Sequence, residues 1–480
     1  MDCDETEMRD GDVIEVTPAS FAGGLRLTAQ GTPEKPVIVH FAPGRYDLWP
    51  AQCERRRYQI SNNNDAADQE KVAGLLLENA RHVRITGHGA RLVCRGKMIE
   101  CCIDQSEDVT IEGLTFDYHR PTVSEFTVTD AAADWADIVI HRDSTYRVEH
   151  GRIIWVGEGW SYETGLAQEL IPDTEEIWRR KDPLAGLRLE ELAPYRVRVH
   201  GKHDMLKGRV FQVRDTLRDC VGVFVHRSRD VVFRDCNFRF AHGMGIVGQF
   251  SENITLDRVQ IAPDPASGRT SACWADCTHF SGCRGKITVK DCLFCGAHDD
   301  AMNVHGTYLK IAGVVGDRQV KARFMHRQTY GFQAFYPGDE IEFVRGDSLE
   351  TFAANRVTAV EMMDDREQLL TLESPVPADW RDGDVIENVT WTPEVEVTGC
   401  KVVRIPTRGF LITTRRRALV ADNEFVGMRC AIHVEGDASK WFESGCVRDM
   451  TIRGNRFVRI KNEPICIRGA VHQNIRVAGE

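Results

Sequence analysis

The sequence predicts an all-β protein, a right-handed parallel β-helix (solenoid) carrying two β-rich, barrel-like insertions. One short pattern recurs: an apolar residue, usually a small or amide residue three later, and an apolar residue two beyond that. It appears as Ile111/Leu114/Phe116, Phe233/Cys236/Phe238, Leu256/Val259/Ile261, Val289/Cys292/Phe294, Val397/Cys400/Val402, Val420/Asn423/Phe425 and Ile452/Asn455/Phe457. Close copies are about 23 or about 32 residues apart, a solenoid period. The copies are short, β-rich and punctuated by Gly, Asn and Asp, with no helical periodicity of comparable strength. Cysteine at one repeat position (236, 292, 400) and asparagine at the same position (423, 455) read as interior ladders. Cysteine serves there as a small buried group, and asparagine hydrogen-bonds along the stack.

In chain order, residues 1–120 hold the N-terminal cap and first coils, including the turn Pro43-Gly44-Arg45-Tyr46. Residues 121–215 break the rhythm as a β-rich insertion, within which Leu166–Leu192 is expected to hold a helix. Residues 216–306 return to central coils. Residues 307–392 form a second, barrel-like insertion, marked by the turn signals Pro337-Gly338-Asp339 and Arg381-Asp382-Gly383-Asp384. Residues 393–480 complete the C-terminal coils.

With 480 residues and 42% hydrophobic content the chain can bury a large core. A net charge of -11 argues against a nucleic-acid partner, which needs a basic stripe. Arg55-Arg56-Arg57 and Arg415-Arg416-Arg417 are short and read as local ion pairs. No apolar run approaches the ~20 residues of a membrane span, so no membrane partner is expected. The polar start Met1-Asp2-Cys3-Asp4-Glu5 is unlike a signal peptide. Sixteen cysteines are scattered rather than dense. Cys273/Cys277 with Cys292/Cys295 could imitate a zinc pattern, but the repeat accounts for Cys292 better.

The stretch Gly296-Ala297-His298-Asp299-Asp300-Ala301-Met302-Asn303-Val304-His305-Gly306 carries the chemistry. Paired carboxylates are what glycoside hydrolysis needs, one to donate a proton and one to activate water. Counting from Phe294 reaches His298-Asp299-Asp300, the same count from Phe238 reaches His242-Gly243-Met244, and from Val402 it reaches Pro406-Thr407-Arg408. Asp276 precedes Asp299 by about one coil, so Asp276, Asp299 and Asp300 should converge on one face, rungs being about 4.8 Å apart. Their repulsion should raise at least one pKa. Replacing any of them by Asn should therefore change stability little or raise it. His279, His298, Asn303, His305, Arg408, Trp441 and Glu443 are candidate substrate-binding residues, with Trp391 an alternative to Trp441 as a stacking ring and the three histidines able either to bond hydroxyls or to orient the carboxylates. Arg408 could instead pair with Asp300 across coils.

Several stretches resemble glycoside hydrolase family 110, the bacterial α-galactosidases acting on α-1,3-linked terminal galactose. They are Ala275–Ser281, His298–Leu309, Phe324-Met325-His326, Tyr330-Gly331-Phe332, Asn388–Pro393, Thr407–Leu411 and Trp441–Gly445. The resemblance implies an inverting exo-hydrolase without metal or cofactor, with catalytic carboxylates at Asp276, Asp299 and Asp300. It implies a carbohydrate partner ending in α-galactose, on branched blood-group B structures or linear α-1,3-galactosides, and allows a secreted or periplasmic protein with its leader removed. A homo-oligomer stays open. The rival readings are a polygalacturonase-like hydrolase, whose acidic substrate would call for Lys and Arg around the acids, and a non-catalytic carbohydrate-binding β-helix.

Overall fold

The computed structural model describes residues 11–479, so the polar start lies outside the described residues. The seven repeats stack rung on rung. Ile111, Phe233, Leu256, Val289, Val397, Val420 and Ile452 are successive partners in an eleven-stranded parallel sheet. Phe116, Phe238, Ile261, Phe294, Val402, Phe425 and Phe457 do the same in a nine-stranded sheet. A third face is built by Val221–His226, Met244–Gln249, Thr278–Ser281, the start of Met302–Val314, Arg408–Ile412 and Cys430–Val434, also paired in parallel. Among the described residues there is no α-helix.

The corner between the first two faces explains the repeat. Gly113, Asp235, Arg258, Asp291, Gly399, Asp422 and Gly454 all sit at φ between 51° and 75°. That left-handed conformation suits Gly and tolerates Asp, and it turns the next residue inward. The next residue is Leu114, Cys236, Val259, Cys292, Cys400, Asn423 or Asn455, and all are buried. Asn423 Oδ1 accepts from the Cys400 N–H at 2.9 Å, while its amide donates to Val397 O and Asn455 Oδ1. Beside them Phe116 and Phe238 stack with centroids 4.9 Å apart. Cys236, Cys292 and Cys400 line the same interior and form no metal cluster with Cys273 or Cys277.

Antiparallel strands depart from the solenoid twice. Between Val123 and Arg214 a seven-stranded sheet and a three-stranded one close over Phe126, Trp155 and Phe211. Strand Met302–Val314 begins as a coil rung and runs on into a second unit, where it pairs with Gln319–Arg323 and Val385–Asn388 over Leu309, Phe343 and Leu370. The helix expected over Leu166–Leu192 is absent. Leu166–Ile171 pairs with Glu176–Arg180 and Val210–Arg214, and Arg188–Ala193 pairs with Arg196–His200. The Leu, Ala, Gln and Glu of this stretch favour a helix only weakly, Pro172 and Pro183 interrupt it, and sheet pairing prevails. The arginine clusters are ion pairs, with Arg55, Arg56 and Arg57 on Glu70, Glu78 and Asp68, and Arg415 on Glu342 and Glu387.

The ladder predicts unequal costs. Asn423→Ala strands the buried Cys400 N–H and Val397 carbonyl, and should cost about 2–4 kcal/mol in urea denaturation. Cys236→Ala removes only a small apolar group and should cost about 1 kcal/mol. Equal losses would show that the amide stack does not hold the corner.

Candidate active site

The third face begins at a corner where the acids lie. Thr278 pairs with Met302 and Cys273 with Ala297, so Asp276 stands opposite Asp300 rather than Asp299. Met302 pairs in turn with Phe410, which puts Asp300 opposite Arg408. The sequence reading was one residue out, and in extended chain one residue reverses the direction of a side chain. Asp276 and Asp300 are therefore neighbours on adjacent rungs, with Asp276 Oδ1 accepting the Asp300 N–H at 3.2 Å. Oxygens of Asp276, Asp299 and Asp300 lie within 4.8 Å of one another.

Three arginines meet this charge. Arg408 forks onto Asp300, Nη2 to Oδ2 at 2.7 Å and Nε to Oδ1 at 3.0 Å, and Thr407 adds a hydroxyl at 2.6 Å. Asp299 takes Arg179 at 2.7 Å and Arg218 at 3.4 Å. The three acids consequently differ. Burial, then the Asp299 charge, pushes Asp276 up to about 7. Burial lifts Asp300 to about 6 against the pull of Arg408. Burial also works on Asp299, but Arg179, Arg218 and Arg408 outweigh it and hold its carboxyl below the usual range. The three acids are close enough to hold a metal ion, and the arginines supply the countercharge a cation would bring, which leaves the trio arginine-neutralised.

The acids open on a cavity of about 400 Å³ that adjoins one of about 690 Å³, both bordered by Asp299, Arg408 and Trp441. Asn303 and Glu443 line the first. Glu443 arrives because Thr307 pairs with it antiparallel, and its carboxylate accepts from the amides of Asn62 at 2.9 Å and Asn303 at 3.2 Å. Trp441 is 39% exposed and its ring lies 4.3 Å from that of His326. Trp391 instead packs among Phe250 and Tyr336. None of the three candidate histidines borders this cavity, and His279 instead contacts a carboxylate of the trio. His279 and His305 are buried behind Asp276 and do not line the cavity. His298 faces a separate cavity of about 120 Å³ with Gln168 and Arg214.

Arg179, Arg218 and Asn62 were not singled out in the sequence. Arg179 comes from the first insertion, Arg218 from the segment that follows it, and Asn62 from the early coils. None has a repeat position to announce it.

Two domain families match the chain, GLAA-B beta-barrel domain I over residues 124–210 and GLAA-B beta-barrel domain II over residues 319–386. The Alpha-1,3-galactosidase A of Akkermansia muciniphila is 40% identical over 98% of this chain and 81% of its own length. The Alpha-1,3-galactosidase A of Bacteroides thetaiotaomicron is 40% identical over 92% and 81%. Among solved structures, an alginate lyase from Paenibacillus aligns over 97% of this chain and 92% of its own, at 10% identity and a TM-score of 0.38.

The ion pairs revise the expectation that neutralising any acid is harmless. Asp300→Asn strands the buried Arg408 and should cost about 3–5 kcal/mol. Asp276→Asn strands no arginine and should gain stability in a pH-dependent way. Its folded pKa lies above the unfolded value, so wild-type stability on its account is intact near pH 4 and declines as pH rises to about 7. The Asn variant escapes that decline and should gain on wild type by on the order of 1.4 kcal/mol per pH unit across the window. Asp300 is also raised, to about 6, so both variants should gain on wild type as pH rises. Melting curves at pH 4 and pH 8 check both, and an Asp300→Asn variant no less stable than Asp276→Asn at pH 8 would refute the Arg408 ion pair as the difference between them.

Proposed function

Because the chain belongs to glycoside hydrolase family 110, the family of the α-1,3-galactosidases, we propose that it releases terminal α-1,3-linked galactose at the cavity bordered by Asp276, Asp299 and Asp300. The observation that carries this assignment is three carboxylates with oxygens within 4.8 Å of one another but unequally paired, Asp299 and Asp300 with arginines and Asp276 with none. Burial and the Asp299 charge push Asp276 up to about 7, into the range a general acid needs, while arginines hold the Asp299 carboxyl below the usual range. Asp276 would protonate the leaving-group oxygen and Asp299 would draw a proton from water. Asp300, committed to Arg408, would hold the two in place. Asn303 borders the cavity and Trp441 offers it an apolar ring face. The division into coils and two inserted units at 121–215 and 307–392 belongs to the same proposal. Arg179, Arg218 and Arg408 are each engaged by an acid of the trio, which favours a neutral sugar over a polygalacturonase-type substrate at the acids, although Arg429 and Arg468 also line the adjoining cavity. A purely binding protein would have no use for a buried acid held protonated.

Stereochemistry has two readings. Family membership favours inversion. Spacing favours retention, because inverting pairs usually stand ~6.5–9.5 Å apart and retaining pairs ~5–5.5 Å. We adopt inversion, with the attacking water seated beside the trio rather than between its members. Proton NMR of the first-formed galactose should show the β anomer, and the α anomer would overturn this choice. Asp276→Asn and Asp299→Asn should each lower turnover on α-1,3-galactobiose by ~10²–10⁴-fold. Turnover should survive EDTA, and a loss restored by added divalent cation would contradict the arginine-neutralised reading.

A further inference from the structure

Behind Asp276 a buried file of hydrogen bonds runs away from the cavity. Asp276 Oδ2 lies 2.9 Å from His279 Nδ1, His279 Nε2 lies 2.9 Å from His305 Nε2, and His305 Nδ1 lies 2.5 Å from Gly306 O. The rings are 0% and 2% exposed.

The far end sets the direction of the whole file. A carbonyl oxygen only accepts, so His305 Nδ1 carries a hydrogen and donates to Gly306. A neutral His305 then has a bare Nε2, and His279 Nε2–H must supply the hydrogen between the rings. A neutral His279 is left with a bare Nδ1. Two acceptors do not bond at 2.9 Å, so the contact with Asp276 requires the hydrogen to sit on the carboxyl. We propose that His279 and His305 are positioning residues that hold a proton on Oδ2 of Asp276, keeping it in the acid form until substrate arrives.

The surroundings support neutral rings. Burial pushes His279 down to about 4 and lowers His305 as well. Glu443, Asp299 and Asp300 face this group and favour a proton there, while Arg218 and Arg408 oppose it. Glu443 Oε1 lies 3.6 Å from His305 Nε2, beyond hydrogen-bond reach, so it offers no competing partner. During hydrolysis the Oδ2–H turns from His279 Nδ1 toward the cavity, and its proton passes to the leaving-group oxygen as the bond to the anomeric carbon breaks. The attacking water gives one proton to the base, which releases it to solvent, and a solvent proton returns to Oδ2. The discharged carboxylate would face a bare nitrogen, an unfavourable contact that recharging removes.

The proposal rests on Asp276 being the acid, and the test separates the two claims. The intact enzyme is labelled with ¹⁵N-histidine, and the two rings are assigned with His279→Gln and His305→Gln. Between about pH 5 and 6, where Asp276 is in its acid form, His279 should be the Nε2–H tautomer and His305 the Nδ1–H tautomer. An Nδ1–H or doubly protonated His279 would overturn the proposal. The second readout is the pH profile of kcat/KM. His305→Phe removes the acceptor, so His279 turns its hydrogen to Asp276 and stabilises the carboxylate. The alkaline limb should fall by about one pH unit. His305→Gln, whose Oε1 can accept from His279, should restore it. An unmoved limb, or the same shift in both variants, would overturn the proposal, and if His305→Phe does not fold the tautomers of the wild type decide. Full turnover in Asp276→Asn would instead remove the acid assignment while leaving the tautomer result standing.

Discussion

In-register stacking is the constraint on which the rest of this molecule depends. Each residue of a coil meets its counterpart one rung away, so a residue type favourable at a corner can be repeated and an unfavourable one must be answered by a neighbour. The Cys and Asn corner shows the favourable case, with amides bonding from rung to rung. The acid corner shows the other. Asp276 and Asp300 are forced side by side, and the following rung answers with Arg408.

That answer is incomplete, and the remainder comes from outside the repeat. The first insertion reaches over with Arg179, the segment after it contributes Arg218, and an antiparallel strand brings Glu443 back to the same cavity. The positive charge is therefore distributed unevenly. Burial alone would lift all three aspartates. Arginines on Asp299 and Asp300, with no ion pair on Asp276, turn a uniform penalty into unequal shifts, upward at Asp276 and Asp300 and downward at Asp299. Specialisation of chemically identical side chains here is a matter of which neighbour the fold delivers to each.

What was legible in the sequence follows the same division. The repeat was visible because burial imposes a period, and Ile111 through Ile452 fell into register as read. The Asp299-Asp300 pair stood out because adjacent acids demand compensation. The pairing of Asp276 with Asp300 was missed because coil lengths vary, and one residue of slack hides which side chain faces the groove. Leu166–Leu192 misled because its composition favours a helix in isolation while its partners lie elsewhere in the chain. Arg179, Arg218 and Asn62 left no trace, since docking of an insertion has no period to read. The histidines were noticed for their type, but only contacts could show that His279 and His305 stand behind an acid and not beside a sugar.

The splice at Met302–Val314 bears on the order in which the molecule assembles. Asp276 and Asp300 belong to successive turns of chain and can meet early, as local contacts do. Arg408 lies on the far side of an entire inserted unit, 108 residues from Asp300, so their contact is a long-range one that forms late. Arg179 and Arg218 precede the acids in the chain and can meet Asp299 before it. A nascent chain arrested within the second insertion would thus lack one ion pair of the site, with Asp300 still waiting for the rung that answers it.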